Sequence, residues 1–91
     1  MSHTVREKFK LLRRVRRIRG QVEALERALE AEKGCAEILQ QIAAARGAMN
    51  GLMTEVIEDH LRTHIANPDT SDVEREQGTD ELIDVIGAYL K

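Results

Sequence analysis

Aromatic residues are almost missing from this chain: one Phe, one Tyr and no Trp in 91 residues. Without that bulk, a chain so short lacks the usual anchors of a compact monomeric core. There is one cysteine, which excludes an intramolecular disulfide framework and fits a reducing cytoplasm, the expected location. No apolar run is long enough to span a membrane. Residues 1–20 are basic where a signal peptide would be apolar, so no membrane partner is expected. The single proline, Pro68, lies in a polar stretch and leaves long segments on either side free to be helical.

A formal net charge of −2 conceals a sharp asymmetry. Residues 1–20 carry eight Lys or Arg against one acid, Glu7, a formal +7, and the remaining residues carry six basic and fifteen acidic side chains, a formal −9. A chain that segregates charge in this way suits a polyanion. Arg13, Arg14, Arg16, Arg17 and Arg19 fall within seven residues with no acid between them. Like charges on neighbouring turns repel, so the block favours phosphates over a merely solvated helix face. An anionic membrane surface or an acidic protein are the rival partners. No helix-turn-helix or zinc-finger spacing is visible, so DNA would meet a charged helical surface. Lys10 joins the arginines as a phosphate-contact candidate, with Arg46 a weaker one in mid-helix.

The rest is organised around residues 35–64, thirty residues without proline. Ile38, Ile42, Ala45, Met49, Leu52 and Val56 step by 4, 3, 4, 3 and 4, the spacing of an apolar helical seam. Cys35 opens this helix, and His60 and His64 close it on one side. In a continuous helix Cys35 and His60 stand about 38 Å apart, so one chain cannot join them. Two copies packed antiparallel bring Cys35 of one beside His60 and His64 of the other, crossing near Ala48–Met49. Ala43, Ala44, Ala45, Gly47, Ala48 and Gly51 supply small side chains there. Each glycine costs about 1 kcal/mol against alanine in a helix, which calls for a packing reason. The rival account is an ordinary core helix with a stray thiol.

Before this helix, Thr4 and Glu7 match a capping box, starting helix 1 at about residue 5 and running it to about 32. Leu11, Val15, Ile18, Val22, Leu25 and Leu29 form its seam. Gly34 is the expected C-cap of helix 1, and helix 2 spans about 35–65. Residues 66–79 are polar and form a connector. A short helix 3 follows over about 79–90, with Leu82, Val85, Ile86, Tyr89 and Leu90 on one face. The expected fold is all-α: one domain over 1–91, with three helices per chain and two copies packed as an antiparallel bundle.

Removal of Met1 ahead of the small Ser2 leaves a free α-amine beside His3. Together with Cys35 and a second copy's His60 and His64, these are four nitrogens and one sulfur. That borderline donor set suits Ni(II), Co(II) or Zn(II), and five donors exceed what tetrahedral zinc or low-coordinate Cu(I) requires. An enzyme with Cys35 as nucleophile would need a base, an orienting group and a pocket. So few aromatics in long helices make that pocket improbable, and no catalytic residue is assigned. A coiled-coil adaptor would explain the heptads but not the arginine block.

The segments RRIRGQVEALE at 16–26, Cys35, LQQIAAARGAMNGLM at 39–53 and AYLK at 88–91 resemble the CsoR/RcnR/FrmR family of small all-helical repressors. The resemblance covers nearly the whole chain and is weakest in the 66–79 connector. It implies a disc-shaped tetramer of antiparallel dimers that releases operator DNA on binding its effector. The copper sensors of the family carry a thiol where this chain has His64. The formaldehyde sensors pair the helix-2 cysteine with an N-terminal proline, where this chain has Ser2. The combination of His3, Cys35, His60 and His64 is similar to the nickel- and cobalt-sensing RcnR/DmeR branch, which implies derepression of metal efflux. Formaldehyde sensing through Cys35 and the N-terminal amine is the alternative implied by the arginine-rich helix 1.

Overall fold

The computed structural model describes residues 5–90, with side chains from residue 7 onward. The Ser2-His3 arm and the Thr4 cap lie outside the described residues. Three α-helices account for most of the chain, and no strand occurs among the described residues: α1 spans Val5–Glu30, α2 Cys35–His60 and α3 Asp72–Tyr89. A single π-helical turn, Leu61–Ile65, continues α2. No helix among the described residues is long and apolar enough to cross a membrane. The chain divides into two compact units, one ending at Met53 and the other beginning at Thr54.

In the first unit, α1 and the first part of α2 flank a four-residue turn, and each seam splits into two rows seven residues apart. On α1, Leu11, Ile18 and Leu25 turn inward, with Ile18 7% exposed. Val15, Val22 and Leu29 remain exposed. On α2, Ile38, Ala45 and Leu52 are half-buried, whereas Ile42 and Met49 are exposed. Ile18 and Ala28 are the buried apolar side chains among the described residues, and α2 has none.

The turn between α1 and α2 departs from the expected geometry. Helix 1 ends at Glu30 rather than 32, and Gly34 is not its cap. Instead Glu32 adopts the left-handed conformation at φ 55°. The Lys33 N–H donates to the Ala28 carbonyl at 3.0 Å and the Glu32 N–H to the Leu29 carbonyl at 3.1 Å. This is a Schellman ending with glutamate where glycine is usual. Gly34 serves the next helix: its carbonyl accepts the Ile38 N–H at 3.1 Å, the first bond of α2.

In the second unit helix 2 runs to Ile65, close to the expected end but with a different last turn, and the start of helix 3 is corrected. Helix 2 is α-helical only to His60, and the Ala66 N–H then donates to the Leu61 carbonyl at 2.8 Å, a five-residue step. Helix 3 begins at Asp72, seven residues before the expected start. Ser71 caps it: its hydroxyl accepts the Glu74 N–H at 3.2 Å, and its own N–H donates to the Glu74 carboxylate at 3.4 Å. Asp72 and Glu74 also put negative charge on the first turn, where the helix dipole favours it.

Relieving the left-handed strain is a direct test of the α1–α2 turn. Glu32→Gly should raise stability by about 1 kcal/mol, measured as a higher midpoint in urea unfolding. An unchanged or lower midpoint would contradict the assigned ending.

Candidate metal centre and nucleic-acid interface

The two histidines are held by α3. The His60 and His64 ring centroids are 5.0 Å apart, and both side chains are largely sequestered. His60 Nε2 lies 2.8 Å from the Gly78 carbonyl. A carbonyl only accepts, so Nε2 carries the proton and donates, which leaves the lone pair of the neutral ring on Nδ1. A Glu81 carboxylate oxygen stands 3.9 Å from the same Nε2, on the protonated side. Backbone carbonyls and carboxylates in that position are the usual outer partners of a ligating imidazole.

His64 is fixed by close packing. Gly78 is buried, and a Cβ on it would come within 2.9 Å of both the His64 Cβ and the His64 carbonyl oxygen. Only glycine permits that approach. An open cleft of about 580 Å³ beside His64 is lined by Thr63, Asn67, Thr70, Gln77 and Glu81, among others. Polar side chains line it, so hydrated solutes can reach His64.

Cys35 is the first residue of α2 and is exposed. It belongs to the other end of the helix that His60 closes. Among the described residues, no three His, Cys, Asp or Glu side chains of one chain converge to hold a metal. A single chain thus offers the histidine pair as two donors and the thiol separately. The donor types fit a borderline transition metal, and the pair needs further ligands from elsewhere.

Lys10, Arg13, Arg14, Arg16, Arg17, Arg19 and Arg46 are all exposed. At about 100° per residue, Lys10, Arg13, Arg14 and Arg17 fall within an arc of about 100° on α1, whereas Arg16 and Arg19 lie outside it. Arg19 also faces Glu23 at 4.0 Å. Arg14 lies across α2: its Nη1 is 3.1 Å from where a Gly51 Cβ would sit. Gly51 therefore has a reason within the chain, while Gly47 faces open space. Arg14 and Lys10 each make polar contacts within the protein as well.

A family model described as "Metal-sensitive transcriptional repressor" matches residues 7–88. The chain belongs to that family. The metal-sensitive repressors similar to it include transcriptional repressor RcnR of Citrobacter koseri, 48% identical over the full length of both chains. An uncharacterized protein from the bioA 5′ region of Serratia marcescens is 56% identical, again over both full lengths. Among solved structures, a Glu→His variant of the formaldehyde-responsive regulator FrmR from Salmonella enterica serovar Typhimurium is 51% identical. It superposes with a TM-score of 0.87 over 97% of this chain and 99% of its own. The Cu(I)-bound copper-sensing repressor CsoR of Geobacillus thermodenitrificans is 30% identical, with a TM-score of 0.88 over 100% of this chain and 94% of its own. Members of this family are transcriptional repressors and not enzymes.

Gly78 and Glu81 are the residues around the histidine pair that sequence reasoning missed. The signal was present: Ser71 and Glu74 have capping-box spacing, which moves the start of helix 3 back and puts Gly78 in a helix interior. A glycine there calls for a packing reason, and the reason is His64. Gly78→Ala should therefore cost about 1–3 kcal/mol, because the added methyl meets backbone rather than a flexible side-chain end. Urea unfolding measures the loss, and a variant as stable as the parent would contradict the close approach.

Proposed function

We propose that this repressor binds operator DNA in its metal-free form and releases it on binding Ni(II) or Co(II), derepressing a metal-efflux function. The observation that carries the reading is the His60–His64 pair, rings 5.0 Å apart, on the helix that opens with an exposed thiol. The ligand set is the Ser2 amine, His3 and Cys35 of one copy with His60 and His64 of an antiparallel partner. The uncovered rows Val15/Val22/Leu29 and Ile42/Met49 support that second copy, since apolar rows of this size favour burial. A bound ion supplies the bonds that join one copy's helix-1 arm to the other's histidine pair. Zn(II) and Cu(I) remain chemically competent for a subset of these donors, and the imidazoles favour Ni(II) and Co(II) over Mg(II) or Ca(II).

The DNA face in this reading is the stripe Lys10, Arg13, Arg14 and Arg17, with Arg16 and Arg19 on the flank and Arg46 of α2 a weaker candidate. The residues of this stripe would lie along phosphates, so affinity depends on salt and little on base sequence. The arm begins two to three turns before the stripe. An effector shifts the DNA equilibrium only through ligands available in one helix-1 position, and the arm supplies that difference.

Formaldehyde is the second reading. Cys35 is exposed, and the FrmR structure is 51% identical to this chain. An anaerobic titration of the DNA complex with Ni(II), Co(II), Zn(II), Cu(I) and formaldehyde separates the two, with a duplex selected from genomic fragments and anisotropy as readout. Release by Ni(II) or Co(II), lost in Cys35→Ala and in His64→Ala, is the expected result. Release by formaldehyde alone, surviving in His64→Ala, would overturn it. Arg13→Ala and Arg17→Ala should each shallow the slope of log affinity against log salt by about one. Arg16→Ala and Arg19→Ala should change it less, and equal effects at all four positions would contradict the stripe.

A further inference from the structure

Arg75 is half-exposed and lies outside the ligand set, yet it is the most heavily hydrogen-bonded side chain of the second unit among the bonds described here. Its Nε donates to the Ile65 carbonyl at 3.0 Å, and its Nη2 to the Thr70 carbonyl at 3.1 Å and the Asn67 carbonyl at 3.5 Å. Asp72 holds its Nη1 at 3.3 Å. Ile65 is the last residue of the π turn, immediately after His64. The carbonyls at a helix end have no intrahelical partners, and a guanidinium satisfies several of them from one plane. Thr70 adds a bond from its hydroxyl to the Thr63 carbonyl at 3.3 Å. The turn carrying His64 is thus closed from outside by α3 and the connector.

We infer that Arg75 is a positioning residue for the metal-binding pair, holding the π turn whose register sets where His64 stands relative to His60. The π turn bonds Ala66 back to Leu61, five residues, where an α-helix would bond back four. Reverting to the four-residue step rotates every side chain beyond Leu61 about the helix axis. His60 and His64 would still share a face, as residues four apart do in an α-helix, but His64 would leave its seat on Gly78 and the mutual orientation of the two rings would change. The π turn is the last turn of its helix, so its end carbonyls need a bonding partner from outside. Here the fan of bonds from Arg75 supplies that. Lysine offers one compact ammonium in place of a planar fork and does not reach all three carbonyls. The ligand class is a borderline transition-metal ion, so the inference rests on the metal-sensing reading above.

The test uses the full chain with Arg75→Gln and Arg75→Lys. Ser71→Ala is the control, because it removes the α3 cap without touching the carbonyls that Arg75 holds. Nitrogen-15 spectra of the metal-free protein report the two imidazoles, and Co(II) titration reports affinity. Both Arg75 variants should shift the His64 ring signals while the His60 proton stays on Nε2, and should weaken Co(II) binding at least tenfold. Ser71→Ala should lower thermal stability while keeping the parental ring signals and affinity. Unchanged His64 signals in Arg75→Gln would overturn the inference. An equal loss of affinity in Ser71→Ala at matched stability would also overturn it, reducing Arg75 to a stabilising contact. Should the parent bind no Co(II) or Ni(II), the metal reading fails and the ring signals alone decide the role of Arg75.

Discussion

Each long helix carries two heptad rows of apolar side chains, and its own chain covers only one of them. Leu11, Ile18 and Leu25 face inward on α1 and Ile38, Ala45 and Leu52 on α2, while Val15, Val22, Leu29, Ile42 and Met49 stay exposed. At about 25 cal/mol per Å² of apolar surface, those open rows are a substantial unused driving force. The helix that carries one pair of these rows also separates the candidate donors along its length. Cys35 and His60 terminate one helix, so any site using both must be shared.

The α3 helix gives the histidine pair a defined geometry. Its buried Gly78 admits His64, and its Gly78 carbonyl fixes the His60 proton. Arg75 closes the turn between them from the connector side. Two positions within four residues of one helix, Arg75 and Gly78, therefore contact the histidine pair or the turn that carries it. The arginine stripe of α1, by contrast, needs only exposure and helical spacing. Arg14 is the exception, because Gly51 makes room for it across α2. That contact ties one basic side chain to the helix that also carries the thiol.

Much of this fold was legible because it depends on period. The 3–4 spacing of Leu11 to Leu29 and of Ile38 to Val56 marks both long helices, and the α2 start at Cys35 was correctly placed. What failed was local. The run Asp72–Gly78 is almost wholly polar, so its helicity lay in the Ser71/Glu74 cap rather than in apolar spacing. The π turn looks like any other helical turn in sequence, and its last carbonyl is bonded by Arg75 of α3, a contact the sequence does not display. Gly34 misled because glycine suits both ends of a helix, and Glu32 took the left-handed position instead. In the site, His60 and His64 were identifiable from their four-residue spacing. Gly78 and Glu81 were not, because they act through tertiary contact.

The most direct test of a site shared between copies is complementation between two defective chains. Cys35→Ala and His64→Ala proteins, each unable to form a complete site, are mixed, unfolded and refolded together, then titrated with Co(II). A site built across an antiparallel pair predicts that mixed dimers regain one intact site of two, with thiolate-to-cobalt charge-transfer absorption absent from either protein alone. A site formed within one chain predicts no recovery at any mixing ratio, and that result would contradict the account.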